Sequence, residues 1–313
     1  MPEIAELPGP GRTRVVLVLL SLAIFVTFTY EVLPIGLLTP IGDALGIDAQ
    51  GAGLLISGYA VVVALGSIPL SAAVARFDAR RTLLVLLGVL SISSGLLAVS
   101  TSLTVAAVAR LMGGAAHAVI FTTVYRLALA VVPVHQRGRA AGAVAIGNGA
   151  ALALGVPLAT AFGIAAGWRV AFAVTAAGFV VTAILAVVLI PAGIGRSGQR
   201  LSTRILLDAI RQRPLVRVGV TILAMSGAHF VTYTYVEPIL LEAGVAPSSI
   251  SLVLLGYGIA GVVALLITAG SAIGGWILAA TDSTVLILVS IAAAAAVTAV
   301  SSIRTWLPAD KSR

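Results

Sequence analysis

Cysteine is absent from these 313 residues and charge is scarce, with Asp, Glu, Lys and Arg making up 10% of the chain. Without thiols there is neither a disulfide nor a thiolate metal site. So little charge cannot cover the surface of a soluble domain. There are only three histidines, with no paired-His motif, so no metal is expected. The phosphate-cradling string G-x-x-x-x-G-K-[ST] is missing, which argues against an ATP-driven machine. The acids are isolated rather than clustered at loop edges, so an enzyme of lipid or prenyl chemistry is not expected, and neither is a cofactor. No short apolar segment closed by A-x-A opens the chain, so the first apolar run should stay as a span.

What is present is apolar. The chain is 60% hydrophobic, with a mean hydropathy of +1.15. Runs of about 20 residues, enough to cross a ~30 Å hydrocarbon core, recur along the whole length. The strand-and-turn alternation of an outer-membrane barrel is missing. The reading is an all-α polytopic membrane protein with spans at 15–38, 52–75, 82–100, 104–132, 140–164, 169–191, 215–236, 249–270 and 284–303.

A formal charge of +8 could point to nucleic acid, but the arginines gather in short loops between spans, so no nucleic acid is expected. Arg12 and Arg14, the loop with Arg76, Arg80 and Arg81, the pair Arg137 and Arg139, and a 192–214 linker with Arg196, Arg200, Arg204, Arg211 and Arg213 alternate with nearly cation-free connections. The opposite loops hold Asp43, Asp48, Glu237 and Glu242 and the single cation Arg169. The positive-inside rule then places the N-terminus in the cytoplasm, in a cell (inner or plasma) membrane. Within the linker, Arg200, Arg204 and Arg211 share one helical face, with Leu201, Ile205 and Leu206 on another. A short helix on the cytoplasmic membrane surface is expected there, with a plain solvated linker as the alternative.

Two strings repeat. T-F-T-Y at 27–30 returns as T-Y-T-Y at 232–235, and S-G-Y-A at 57–60 returns as L-G-Y-G at 255–258. Both matches come in order at an offset of about 200 residues, the mark of a duplicated bundle. The organisation read from this is a six-span bundle over 1–191, a linker over 192–214 and a partial bundle of about three spans over 215–313. A complete second copy would reach roughly 390 to 400 residues, so a C-terminally truncated product is the expectation.

The residues resemble the major facilitator superfamily, in its drug- and sugar-efflux (arabinose-efflux-like) branch. The carriers are TYEVLPIGLLTPIGDALGI in span one, ARFDARRTLL after span two, VARLMGGAAHAV in span four, GVPLATAFGIAAGWRVAF across spans five and six, and GAHFVTYTYVEP in span seven. Of the superfamily's loop signature G-x-x-x-D-R-x-G-R-R only the closing Arg80–Arg81 remains, with Arg76 where Asp is usual. The resemblance implies a major facilitator fold and a secondary transporter that works as a monomer. It would exchange a small organic compound (drug, sugar or nucleoside) for protons by rocking two bundles about a midplane site in the bilayer. The alternative is a non-transporting remnant, or a subunit completed by another chain.

Glu31 is expected about 10 Å below the interface, seven residues from the outer end of span one. A charge at that depth costs on the order of 2.5–3.5 kcal/mol, so such residues face a cavity or a partner. Arg110 in span four shares the depth, and a Glu31–Arg110 contact, direct or through water, is the structural expectation. Glu31 would couple protons to transport; a static ion pair is the alternative. Arg110, Gly114, His117 and Phe121 fall on one face of span four, and His117 could titrate near neutral pH or simply bridge helices. His229 in span seven is its intramembrane companion, whereas His135 reads as a solvated loop residue. Phe28, Tyr30, Phe121, Asn148, Tyr233 and Tyr235 are expected to line the cavity; for the aromatics of the repeated strings, anchoring at the interface is the alternative. Arg76, Arg80 and Arg81 set topology, and by resemblance would latch a cytoplasmic gate.

Overall fold

The computed structural model describes residues 9–191, 193–194 and 233–269, with single positions between 212 and 227. Its helices are α1 Pro10–Val32, α2 Leu38–Leu45, α3 Ala49–Val74, α4 Ala79–Ala98, α5 Leu103–Ala130, α6 Arg137–Ala150, α7 Val156–Ala166, α8 Trp168–Leu189, α9 Val236–Glu242 and α10 Pro247–Ala269. No strand occurs among the described residues. Among the described residues six stretches are long and apolar enough to cross a membrane: Gly11–Leu45, Gly51–Val74, Ala79–Ala98, Leu103–Ala130, Val134–Ala166 and Trp168–Leu189. These agree with the first six predicted spans to within a few residues, except that the first and fifth extend further. The predicted surface helix of the linker, the seventh span up to Thr232 apart from isolated positions, the ninth span and His229 lie outside the described residues.

Helix starts follow from side-chain caps. Asp48 Oδ1 accepts from Gly51 N at 2.7 Å before α3, and Asp78 Oδ1 from Arg81 N at 2.9 Å before α4. Ser102 Oγ accepts from Val105 N at 3.4 Å before α5. Each satisfies an amide that the first helical turn leaves without a partner. The chain turns at Gly46 (φ +67°) after α2 and at Gly167 (φ +95°) between α7 and α8, a region other residues enter only at a cost.

Two spans are broken inside. In the first, α1 ends at Val32, a 3₁₀ turn occupies Leu33–Leu37, and α2 resumes. The cause is Pro34, which has no N–H for the carbonyl of Tyr30 four residues back. In the fifth, a π segment at Ala151–Gly155 separates α6 from α7. Such bulges widen the helix and leave carbonyls poorly paired.

α5 packs against α3 and α4, α4 against α8, and α1 against α6 and α8. Their core runs from Val16 and Leu20 through Leu83, Leu87, Ile120 and Val124 to Phe172 and Phe179. Lipid is as apolar as leucine, so burial alone does not join these helices, and close approach through small residues does much of the work. A methyl group on Gly147 would run into the Ser21 carbonyl. Large apolar side chains face outward, as at Leu65 (74% exposed) and Leu158 (65%), the surface a hydrocarbon surround requires.

The later helices close onto the first and fifth spans. α9 sits against the 3₁₀ turn and α2, and α10 against the π segment and α7. Val32, Ile35, Leu38, Ile56, Tyr233, Ile250 and Leu254 form a second apolar cluster at that seam. Here too a glycine sets the approach, because a Cβ at Gly258 would strike the backbone of Leu152 and Ala153.

Candidate functional site

The break in span one creates the demand that α5 meets. With Pro34 unable to donate, and 3₁₀ pairing drawing later amides to carbonyls three residues back, Tyr30 O and Glu31 O lose their helical donors. Arg110 supplies them. Its Nη1 donates to Tyr30 O at 3.3 Å, its Nη2 to Glu31 O at 3.1 Å, and its Nε to Leu55 O of α3 at 3.3 Å. The guanidinium is 1% exposed and lies over the rings of Tyr59 (3.9 Å to the centroid) and Tyr30 (5.3 Å). Three carbonyls and two π-faces thus replace its water.

The expected Glu31–Arg110 contact exists, but through the backbone carbonyl of Glu31 rather than its carboxylate. The carboxylate turns to His117 instead, with Oε2 3.6 Å from Nδ1, and Glu31 keeps 18% of its side-chain surface open. The same Nδ1 is 2.7 Å from the Tyr59 hydroxyl. Phe121 stacks on the imidazole at 5.0 Å between centroids and 19° between planes. Spacing four and seven residues after Arg110 puts Gly114 and His117 on the face that meets α1 and α3. Gly114 has no side chain because the Tyr59 carbonyl comes within contact distance there.

The electrostatics follow. The guanidinium of Arg110, the Glu31 carboxylate and the His117 imidazole stand close together, and the imidazole can be neutral or protonated. In the neutral state Nδ1 can accept from the Tyr59 O–H; on protonation it becomes a donor that can serve Glu31. One buried nitrogen is therefore addressed by a phenol and a carboxylate together. Among the described residues, no group of three or more His, Asp and Glu could hold a metal ion.

Several expected cavity residues sit elsewhere. Tyr30 is fully buried in the bundle core, not on a cavity wall: its hydroxyl is 2.6 Å from Ser93 Oγ, which bonds Ala109 O. Its ring packs edge-on against Phe172 and Phe179. The ring's bulk and α5's bare Gly113 drive it inward. Tyr233 is buried at the seam, stacked on Tyr257 at 5.1 Å, and the Tyr235 hydroxyl lies over Gly53 of α3. Phe28 is half-buried against the same seam cluster. Asn148 Oδ1 is buried on α6, just before the π segment, with no hydrogen-bond partner. Its position leaves it available to a ligand or water.

At the arginine end, Arg80 Nη2 donates to Val187 O of α8 at 2.6 Å, Arg76 lies over the Phe77 ring at 4.8 Å, and Arg81 is exposed. The loop itself is tied down by Arg126, donating to Ala75 O at 2.9 Å and Phe77 O at 3.1 Å. His135 is exposed on the 3₁₀ turn before α6, as expected.

Sequence reasoning passed over Arg126, Tyr59 and Glu237. Tyr59 had a signal, since it belongs to the repeated S-G-Y-A string of span two, two spans before His117. Glu237 had been read only as a loop acid. It is buried (3% exposed), and its Oε2 accepts from Thr39 N at 3.1 Å and Thr39 Oγ1 at 2.9 Å. It thereby caps α2, which has no side-chain cap of its own, across the seam from α9.

A helical bundle with an acid, an imidazole and a guanidinium set within apolar spans is the architecture of a multi-pass membrane protein. The chain belongs to the Major Facilitator Superfamily, whose family model matches residues 19–309; it is not an enzyme. It is 34% identical over 246 residues to a probable sugar efflux transporter of Helicobacter acinonychis, covering 77% of this chain and 62% of the relative. It is 32% identical over 260 residues to a chloramphenicol efflux pump of Mycobacterium tuberculosis, covering 82% and 63%. The chain therefore spans a little under two thirds of these relatives' length. Among solved structures, an inward-facing bacterial homolog of the human lysosomal transporter Spinster matches with a TM-score of 0.64 at 18% identity, over 80% of this chain and 60% of that one. A D-xylose–proton symporter matches with a TM-score of 0.56 at 17% identity, over 79% and 66%. At such identities the likeness shows the fold.

Proposed function

We propose that the protein is a proton-coupled secondary transporter exporting a small organic compound, a sugar or a phenicol-like drug, by alternating access. The bundle of 1–191, the linker of 192–214 and the partial bundle of 215–313 would rock about a midplane site in the cell membrane, with the N-terminus cytoplasmic. The observation that carries this reading is the placement of Glu31. A static ion pair would turn its carboxylate to Arg110, yet Arg110 is occupied with carbonyls and the carboxylate meets a titratable imidazole. Glu31 and His117 together take up one proton while Arg110 keeps the broken helix end in place. Asn148, Phe28 and Phe121 are the ligand contacts, His229 a second titratable candidate, and Arg76, Arg80 and Arg81 the cytoplasmic gate.

The test is substrate uptake into inverted vesicles energised by an imposed pH gradient. Glu31→Gln should abolish the pH-gradient-driven component, a loss of at least tenfold, while leaving detergent-solubilised thermal stability within a few degrees. Gradient-driven uptake equal to wild type would remove Glu31 from the coupling role. Uptake that appears only when a second chain is co-expressed would identify a subunit completed by another chain.

A further inference from the structure

The end of the bundle that carries the arginine loops holds a second cavity, of about 530 Å³, unconnected with the Glu31 site. It lies between the start of α1, the end of α5 and the start of α6. Arg14 and Arg139 stand on its two sides, Gln136 and Thr13 line it, and none of its lining residues is acidic. Both arginines are exposed, and among the described residues neither has a hydrogen bond or ion pair. α6 begins here, with Gln136 at the cap position and no side chain serving its first amides. Below these polar groups the wall turns apolar at Leu17, Val131, Val132 and Ala143.

Two guanidiniums and no carboxylate make a site for a phosphate-type anion. An apolar floor beneath a cationic mouth, at a helix junction near the membrane surface, suits a molecule with both a phosphate and a hydrocarbon part. We infer that this cavity binds the headgroup of an anionic phospholipid, with the phosphodiester between Arg14 and Arg139 and the first acyl carbons over Leu17 and Val132. A soluble phosphate would satisfy the arginines but leave the floor unused. Because Arg14 sits in the second turn of α1 and Arg139 in the first turn of α6, the bound lipid would clamp the first span to the fifth. The inference rests on the proposed orientation only for the supply of anionic lipid at that face. Its test reads binding, so it can fail while the transport reading stands.

The experiment uses the purified full chain in dodecyl maltoside and follows thermal unfolding on adding dioleoyl-phosphatidylglycerol, dioleoyl-phosphatidylcholine or inorganic phosphate. Phosphatidylglycerol should raise the midpoint by several degrees and phosphatidylcholine should not. In the R14Q/R139Q variant the apparent affinity for phosphatidylglycerol should fall roughly 10- to 30-fold, on about 1 kcal/mol per basic residue. R12Q/R217Q removes the same charge at exposed positions outside the cavity and should respond like wild type. Should R14Q/R139Q fail to fold, competition by phosphatidylglycerol against a spin-labelled lipid on the wild type gives the same answer. Stabilisation by inorganic phosphate alone, lost in R14Q/R139Q, would keep the anion site but replace the lipid by a soluble phosphate. An equal response of R14Q/R139Q and wild type to phosphatidylglycerol, or no response of wild type to either anion, overturns the site.

Discussion

The repeated strings end in different surroundings. In the first copy, Tyr30 and Tyr59 are sealed in the core, at 0% and 1% exposure, and both flank Arg110. In the second, Tyr235, the counterpart of Tyr30, has its hydroxyl over Gly53 of α3, and Tyr257, the counterpart of Tyr59, is 41% exposed and stacks on Tyr233 at the seam. The acid moves too. It follows the tyrosine directly in T-Y-E but comes two places later in T-Y-V-E, and one residue on a helix is a rotation of about 100°. Glu31 accordingly looks inward to His117, while Glu237 looks across the seam and caps α2. Similar strings thus meet a buried imidazole in one copy and the seam in the other, depending on which helix stands opposite.

The sharpest way to break this contrast is to remove Arg110. Arg110→Met keeps the bulk but strips the guanidinium donors from Tyr30 O and Glu31 O. Two buried orphan carbonyls cost about 2–6 kcal/mol, so the variant should unfold well below wild type in a detergent melt and show no transport. A midpoint within a degree of wild type would mean that the broken end of α1 pairs some other way.

How much of this could be read from the residues alone follows from the kind of force involved. The six spans were legible because apolar length is a local property, and the depth shared by Glu31 and Arg110 was legible from residue counts. The partner of the Glu31 carboxylate was not: it depends on the 3₁₀ turn at 33–37, which diverts Arg110 to carbonyls. Pro34 is visible in the sequence, but its consequence is spread over two helices. Tyr30 was misplaced for a related reason. An aromatic in a repeated string reads as a pocket residue until one sees that Gly113 and Ser93 leave a core slot for it.

The seam is the next target. Gly258→Leu would force a side chain into the Leu152 carbonyl and push α10 off the π segment. Backbone cannot yield as a side-chain tip can, and overpacking of this kind costs about 1–3 kcal/mol. Because the bundle core of α1–α8 is untouched, the expected signature is loss of transport and of a disulfide introduced between α7 and α10, with the bundle still folded. Normal cross-linking would show that the contact is dispensable.

A pair of tyrosine variants compares the copies directly. Tyr59→Phe removes the hydroxyl at His117 Nδ1, a loss of about 1 kcal/mol, and should shift the pH profile of transport. Tyr257→Phe keeps the ring stack on Tyr233 and should leave that profile unshifted. Equal pH profiles for the two variants would place His117 outside proton handling.

The smallest effect should be the most informative about the closed seam. Burial pushes the Glu237 carboxyl above the usual carboxylate range, aided by Asp43 and opposed by the two hydrogen bonds from Thr39. A Glu237 exposed by opening of the seam would titrate normally, so the closed form binds its proton more tightly. The proton-linked part of closure is then complete below the ordinary carboxylate pKa and is lost as pH rises through the raised value. Oε2 can accept from Thr39 in either state, so protonation removes the cost of a buried charge without removing the cap. Spin labels at Ile41 and Leu240 should therefore report a larger closed fraction at about pH 4 than at about pH 7, and Glu237→Gln should hold the closed fraction high across that range. An unchanged pH response in Glu237→Gln would assign the titration to another acid, with Asp43 the nearest alternative, and reduce Glu237 to a helix cap.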